Sequence, residues 1–229
     1  IYLTSNAQKK SMPGEIILKD STKQSGYINY KNWNKSPDEI QFSKTGNPPF
    51  KKLGKSDLIS FSISNKEIEE VYKLYSVEID TSKQSVDELT GNTKAENKKI
   101  EIFLQLIIKD GDISLYRVKI SPIREQFFIQ INEADPKELL NKRYIDAKDN
   151  IHQNLSYKTD LLNLFNDCEK IDETTLNALS YNEKSFIKII KSYSSCKGTT
   201  SEIKFNRKDY KNPPVWSVYG GLLLNNMTA

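Results

Sequence analysis

Histidine occurs once in this chain of 229 residues, cysteine and methionine twice each, and glycine nine times. A lone His152 and two cysteines without C-x-x-C spacing leave too few nitrogen and sulfur ligands for a zinc site. No stretch approaches the roughly 18 consecutive apolar residues of a transmembrane helix. Any contact with a bilayer must then be made by strands or by an anchor. A basic block is missing too. The 34 Lys and Arg are interspersed with 30 Asp and Glu for a net charge of +4. Nucleic-acid binding, which needs a concentrated basic face, is not expected.

Catalytic signatures are equally scarce. G-x-S-x-G, the Walker loop, G-x-G-x-x-G and H-E-x-x-H are all absent. His152 lies in the polar "NIHQN", at an expected helix start, where a surface or capping role suits it. Two carboxylates drawn from distant segments would leave no sequence trace. The adjacent acids Glu69-Glu70 and Asp110/Asp112 sit at strand ends or turns and read as solvated charge. The expectation is a non-enzyme, with no catalytic residue, no cofactor and no metal.

What the chain does have is alternation. Twelve Tyr and nine Phe against nine Gly favour packed strands over flexible linkers. From Gly14 to about Ile145 the hydrophobic period is two. "GEIILKD" and "SGYINYKNW" make a hairpin across "STKQ", and "DEIQFSK" starts a strand after Pro37. "TGNPPF" is a loop. In "EVYKLYSVEID" the residues Val71, Lys73, Tyr75, Val77 and Ile79 share one face. Residues 81–98 form a polar loop with a short amphipathic piece at Val86 to Leu89. The strongest hairpin has arms Ile100 to Ile108 and Ile113 to Ile120, turning at Asp110-Gly111. "EQFFIQI" and "ELLNKRYI" complete a mostly antiparallel sheet.

After Asp149 the period lengthens. Leu161, Leu164, Phe165 and Cys168 fall at helical spacing, "ETTLNALS" allows a short helix, and Ser180 with Glu183 makes a capping box before Phe186, Ile189, Ile190 and Tyr193. An exported chain with two cysteines most simply pairs them, here Cys168 with Cys196, for about 3–4 kcal/mol of stabilisation. The alternative is two unrelated buried thiols. A plain antiparallel helix hairpin would hold those ends apart, so a disulfide requires the segment Glu169 to Leu179 to run back. Residues 197–214 read as a basic linker. In the last stretch, 215–229, "VWSVYGGLLLN" alternates an apolar face (Trp216, Val218, Gly220, Leu222, Leu224) with a mixed one, as a transmembrane β-barrel strand does. The alternative is a last strand that pairs with the upstream sheet. At the other end, "IYLTSNAQ" (residues 1–8) has small residues where a signal-peptide cleavage site needs them.

Several of these stretches together are similar to a family. "GYINYKNWNKSPDEIQF", "LISFSI", "FFIQ" and "LLNLFNDC…YNEKSFIKIIKSYSSC" resemble the N-terminal region of outer-membrane β-barrel proteins from Bacteroidota. The resemblance implies a signal peptide, a β-rich periplasmic-type region, a two-cysteine helical segment, a basic linker and a C-terminal barrel. The expected fold is therefore α+β: a mostly antiparallel β domain (14–148), a disulfide-stapled helical unit (149–196), the linker, and one barrel-like terminal strand. The expected place is the outer membrane, reached through the barrel, with the domain facing the periplasm and an envelope protein as partner. A soluble periplasmic or secreted binding protein is the alternative. Tyr27, Tyr30 and Trp33 are the expected partner-binding corner, set against the plainer role of packing at the sheet end.

Overall fold

The computed structural model describes residues 10–30, 33–65 and 69–198. The expected signal remnant, the linker beyond residue 198 and the barrel-like strand lie outside them. The described chain is α+β. Twelve strands run in order: β1 Lys10–Leu18, β2 Lys23–Tyr30, β3 Glu39–Ser43, β4 Lys51–Gly54, β5 Leu58–Ser64, β6 Glu69–Asp80, β7 Asn97–Asp110, β8 Ile113–Ser121, β9 Arg124–Ile131, β10 Lys137–Glu138, β11 Lys142–Ile145 and β12 Ile151–Asn154. Three helices follow, α1 Ser156–Leu164, α2 Glu173–Asn177 and α3 Glu183–Cys196. Ten strands form one antiparallel sheet in the order β10-β9-β8-β7-β6-β5-β1-β2-β3-β4, and β11 pairs with β12 separately.

Two faces of this sheet are buried, each by a different device. In the first half, Met12, Ile16, Ile28, Ile40, Phe42, Phe61, Ile63 and Tyr72 close over one another, with Phe103 of β7 added to the cluster. Tight curvature is permitted by a glycine pair: Gly14 lies directly opposite Gly26. A Cβ on Gly14 would sit 2.5 Å from the Ser62 carbonyl oxygen, and one on Gly26 would be 2.6 Å from that of Ser43. Side chains at either position would push the neighbouring strands apart.

The second half rolls the other way. Val77, Ile79, Leu104, Leu106, Tyr116, Val118 and Phe128 form its inside. The register sets Val71, Tyr75 and Val77 opposite Leu106, Ile102 and Ile100, so the face expected from alternation in β6 is the face observed. The roll turns back on itself where β10 reaches the end of β6: Glu138 Oε2 accepts from the Asp80 backbone N–H at 2.6 Å. The outer face of β7–β9 carries Ile108, Ile113, Leu115, Phe127 and Ile129, and the helices cover it with Tyr157, Leu161, Phe165, Phe186, Ile189 and Ile190. Strands β8 and β9 are thus apolar on both sides, which is why "FFIQI" reads as a run rather than as an alternation.

Cys168 and Cys196 are bonded, with Cα atoms 5.8 Å apart, inside the usual range for a disulfide. Cys196 ends α3, whereas Cys168 lies beyond the end of α1, and α2 with its flanking turns carries the chain back between them. Three local expectations need correction. The cap of α3 is Asn182, whose side chain accepts from the Ser185 amide, not Ser180; a shorter Asx cap outcompetes the capping box. His152 lies in β12 rather than at a helix start, so strand pairing continues past residue 148 to Asn154. The turn of the long hairpin is Gly111-Asp112, because Asp110 itself pairs with Ile113, and Gly111 carries the positive φ of 58°.

Candidate functional sites

The expected binding corner divides between the two faces of β2. Alternation sends Ile28 and Tyr30 to the inner face and Tyr27 to the outer one. Tyr30 is buried, and its hydroxyl donates to Glu70 Oε1 at 3.1 Å. Trp33 is half-buried and meets Tyr30, Phe61 and Tyr72 edge-on, at ring-centroid distances of 5.1, 5.8 and 5.6 Å. Tyr27 is exposed, and its ring lies across Gly46 on the other side. Tyr30 and Trp33 therefore share one aromatic cluster, and Tyr27 does not join them.

Under this aromatic cluster sits a charged network that alternation did not reveal. Glu70 is only 3% exposed, not solvated as expected. It accepts from Tyr30 and, at 2.9 Å, from Tyr72. Burial first, and then the Glu70 charge, push the Tyr72 hydroxyl well up. Arg117, also buried, donates to Gln105 Oε1 at 2.8 Å and to Glu183 Oε2 at 2.6 Å. That last bond ties β8 to the first turn of α3. An arginine between Tyr116 and Val118, in phase with Ile113 and Leu115, was the available signal, since a buried guanidinium needs carboxylate partners.

Where the roll closes, two carboxylates meet. Glu138 accepts from the Asp80 amide and, through Oε1, from Gln126 Nε2 at 2.8 Å. Asp80 accepts through Oδ1 from the amides of Ser82 and Glu96. Arg124 donates to the Asp80 and Ser82 carbonyls. Desolvation raises the Glu138 carboxyl to about 7, and the neighbouring Asp80 charge adds to the rise. A cleft of about 520 Å³ opens beside Glu138, with Asp135, Asp160, Lys99 and Lys137 at its edge. A carboxyl that titrates near neutrality is the property a general acid or base requires. Here every described contact of Glu138 is to the frame of the fold, and its position at the β6–β10 seam gives it a structural task.

An open groove with exposed apolar side chains lies elsewhere. The β8–β9 turn presents Ile123, 98% exposed, on the rim of a groove of about 740 Å³ that also takes in Val86, Ile120, Arg124, Arg143 and Tyr181. His152 donates through Nε2 to Asp146 Oδ2 at 2.9 Å and stacks on Tyr144. Asp146 also accepts from the Asn150 and Lys148 amides, and these bonds hold its carboxyl below its usual range, the His152 contact most of all. This knot closes the β11–β12 turn, which accounts for the single histidine. Among the described residues, no group of three His, Cys, Asp or Glu side chains is placed to hold a metal ion, and no helix is long and apolar enough to cross a membrane. Comparison of the chain with family models, with curated proteins and with solved structures finds no match.

Proposed function

We propose that the chain is the periplasm-facing part of an outer-membrane β-barrel protein, and that it works without catalysis, as a scaffold or as a recognition surface for another envelope protein. The observation that carries this reading is the Cys168–Cys196 disulfide. Such bonds persist in oxidising compartments and are rare where thiols are kept reduced. The order of parts supports it as well: a β-rich body, then two cysteines on a helical unit, as the resemblance to the Bacteroidota proteins implies. Recognition is best served by the groove beside Ile123, because a large apolar side chain held in water on a tight turn is an anchor in waiting. Tyr30 and Trp33 serve the core instead.

The test is made on the chain expressed with its natural flanking sequence in a Gram-negative host. Alkylation of envelope material without reductant is expected to add no mass, and alkylation after reduction to add two groups. Two reactive thiols before reduction would overturn the compartment. Recovery of the chain in washed outer membranes supports the barrel reading, and recovery wholly in the soluble periplasm replaces it with a secreted binding protein.

A further inference from the structure

Between the end of the long β7–β8 hairpin and the stapled helices lies a cleft of about 420 Å³. Asp110 lines it. Asp110 stands directly opposite Ile113 in the strand pair, and directly opposed residues project to the same face. Ile113 belongs to the core beneath the helices, so the Asp110 carboxylate is also on the helix side. It is 1% exposed. Neither of its oxygens has a hydrogen-bond partner among the described residues. A buried carboxylate without a counter-charge is among the costliest things a fold can carry.

The surroundings fix the chemistry. Asp112 and Asp167 share the cleft, and the one cation lining it among the described residues, Lys197, is engaged by Asp167 and lies over the Tyr193 ring. Carboxylates therefore outnumber cations three to one around the opening. The rest of the wall is mixed: Asn132 and Ser194 are polar, and Ile113, Ile131, Leu164 and the pair Phe165 and Tyr193, stacked at 4.4 Å, give it an apolar side. A bare metal ion suits such walls poorly, and no three ligating side chains converge here among the described residues. A positive head on a hydrocarbon stem suits them well: the head donates to the two empty oxygens, and the stem packs against Ile113 and Phe165.

We propose that this cleft binds a primary ammonium or guanidinium group carried on a short alkyl chain, with Asp110 as its counter-charge. The inference stands on the cleft itself and does not depend on the envelope reading. The experiment titrates the full chain with n-butylamine hydrochloride, n-butylguanidinium chloride, n-butanol and calcium chloride, followed by calorimetry. Both organic cations are expected to bind saturably and butanol not to bind. Asp110→Asn is expected to weaken both cations by tenfold or more while melting at or above the wild-type temperature, since it removes an uncompensated charge. Asp112→Asn, at the rim, is expected to cost less than threefold. The idea is overturned by butanol binding as well as butylamine on the wild-type chain, a comparison that needs no variant. It is overturned equally by the absence of saturable cation binding, by unchanged affinity in Asp110→Asn, or by calcium binding in place of the amines. Nα-acetyl-lysine methylamide then separates the sources: binding tighter than butylamine assigns a lysine side chain of a protein, and binding no tighter assigns a free amine.

Discussion

Glu138 should make the stability of this protein fall as pH rises through neutrality. Burial lifts its carboxyl from the ordinary 4.5 to about 7 in the folded chain. Below about pH 4.5 both folded and unfolded chains carry the proton, and the full contribution is present. Between 4.5 and 7 the unfolded chain ionises while the folded chain keeps its proton, so stability is lost as pH rises, and the loss is complete once the folded carboxyl has titrated. At 1.36 kcal/mol per pH unit the whole span is worth about 3 kcal/mol, of which about 2.5 kcal/mol falls between pH 5 and pH 8. For a domain of this size that corresponds to a drop in Tm of roughly 5–10 °C. Glu138→Gln is the informative variant. It keeps an oxygen for the Asp80 amide and is neutral at every pH. Melting of both proteins is followed by near-ultraviolet circular dichroism at pH 5, 6, 7 and 8. The difference between the two pH slopes cancels every other titrating group, and it should equal the drop just worked out. Parallel slopes would refute the reasoning, because they would mean that Glu138 is hydrated and the β6–β10 seam is open.

Two further outcomes test the buried networks. Trp33→Ala should cost about 3 kcal/mol in urea unfolding, the low end for losing a large aromatic from a core; a variant as stable as wild type would take Trp33 out of the aromatic cluster and restore it as a surface candidate. Glu183→Gln should cost about 1–3 kcal/mol by depriving the buried Arg117 of its shortest charged contact, and hydrogen exchange should quicken in α3 before it does in β7; equal protection of both would mean that this bond does not hold the helix to the sheet.

The parts of the fold that were legible in the sequence are those with one wet face. In the second half of β6, Val77 and Ile79 alternate cleanly with the exposed Ser76 and Glu78, and α3 shows its stripe of Phe186, Ile189 and Ile190 for the same reason. Strands β8 and β9 are wrapped on both sides, by the roll and by the helices, so period alone could mark them as strands but could not say that two different cores meet across them. The closing of the roll rests on Glu138 and Asp80, 58 residues apart, and no local pattern encodes that separation. The split of Tyr27 from Tyr30 and Trp33 was within reach, since alternation alone puts residues 27 and 30 on opposite faces.

The acidic residues carry the larger lesson. Glu70 and Asp110 each lie beside another acid at a strand end or turn, which is where solvated charge belongs, yet both are buried. What separates them is not the local sequence but what arrives from elsewhere. Glu70 receives two tyrosine hydroxyls, one from β2 and one from its own strand, so its charge is answered within the described fold. Asp110 receives the helical unit as a lid, which brings Leu164, Phe165, Tyr193, Ser194, the carboxylate of Asp167 and a lysine already engaged by it, but no hydrogen bond to either Asp110 oxygen among the described residues. The same disulfide that staples Cys168 to Cys196 fixes the end of α3 beside that lid. Reduction should therefore loosen the Asp110 cleft while leaving the two tyrosine bonds to Glu70 intact, because the first depends on how the helices are tied and the second lies wholly within strands β2 and β6.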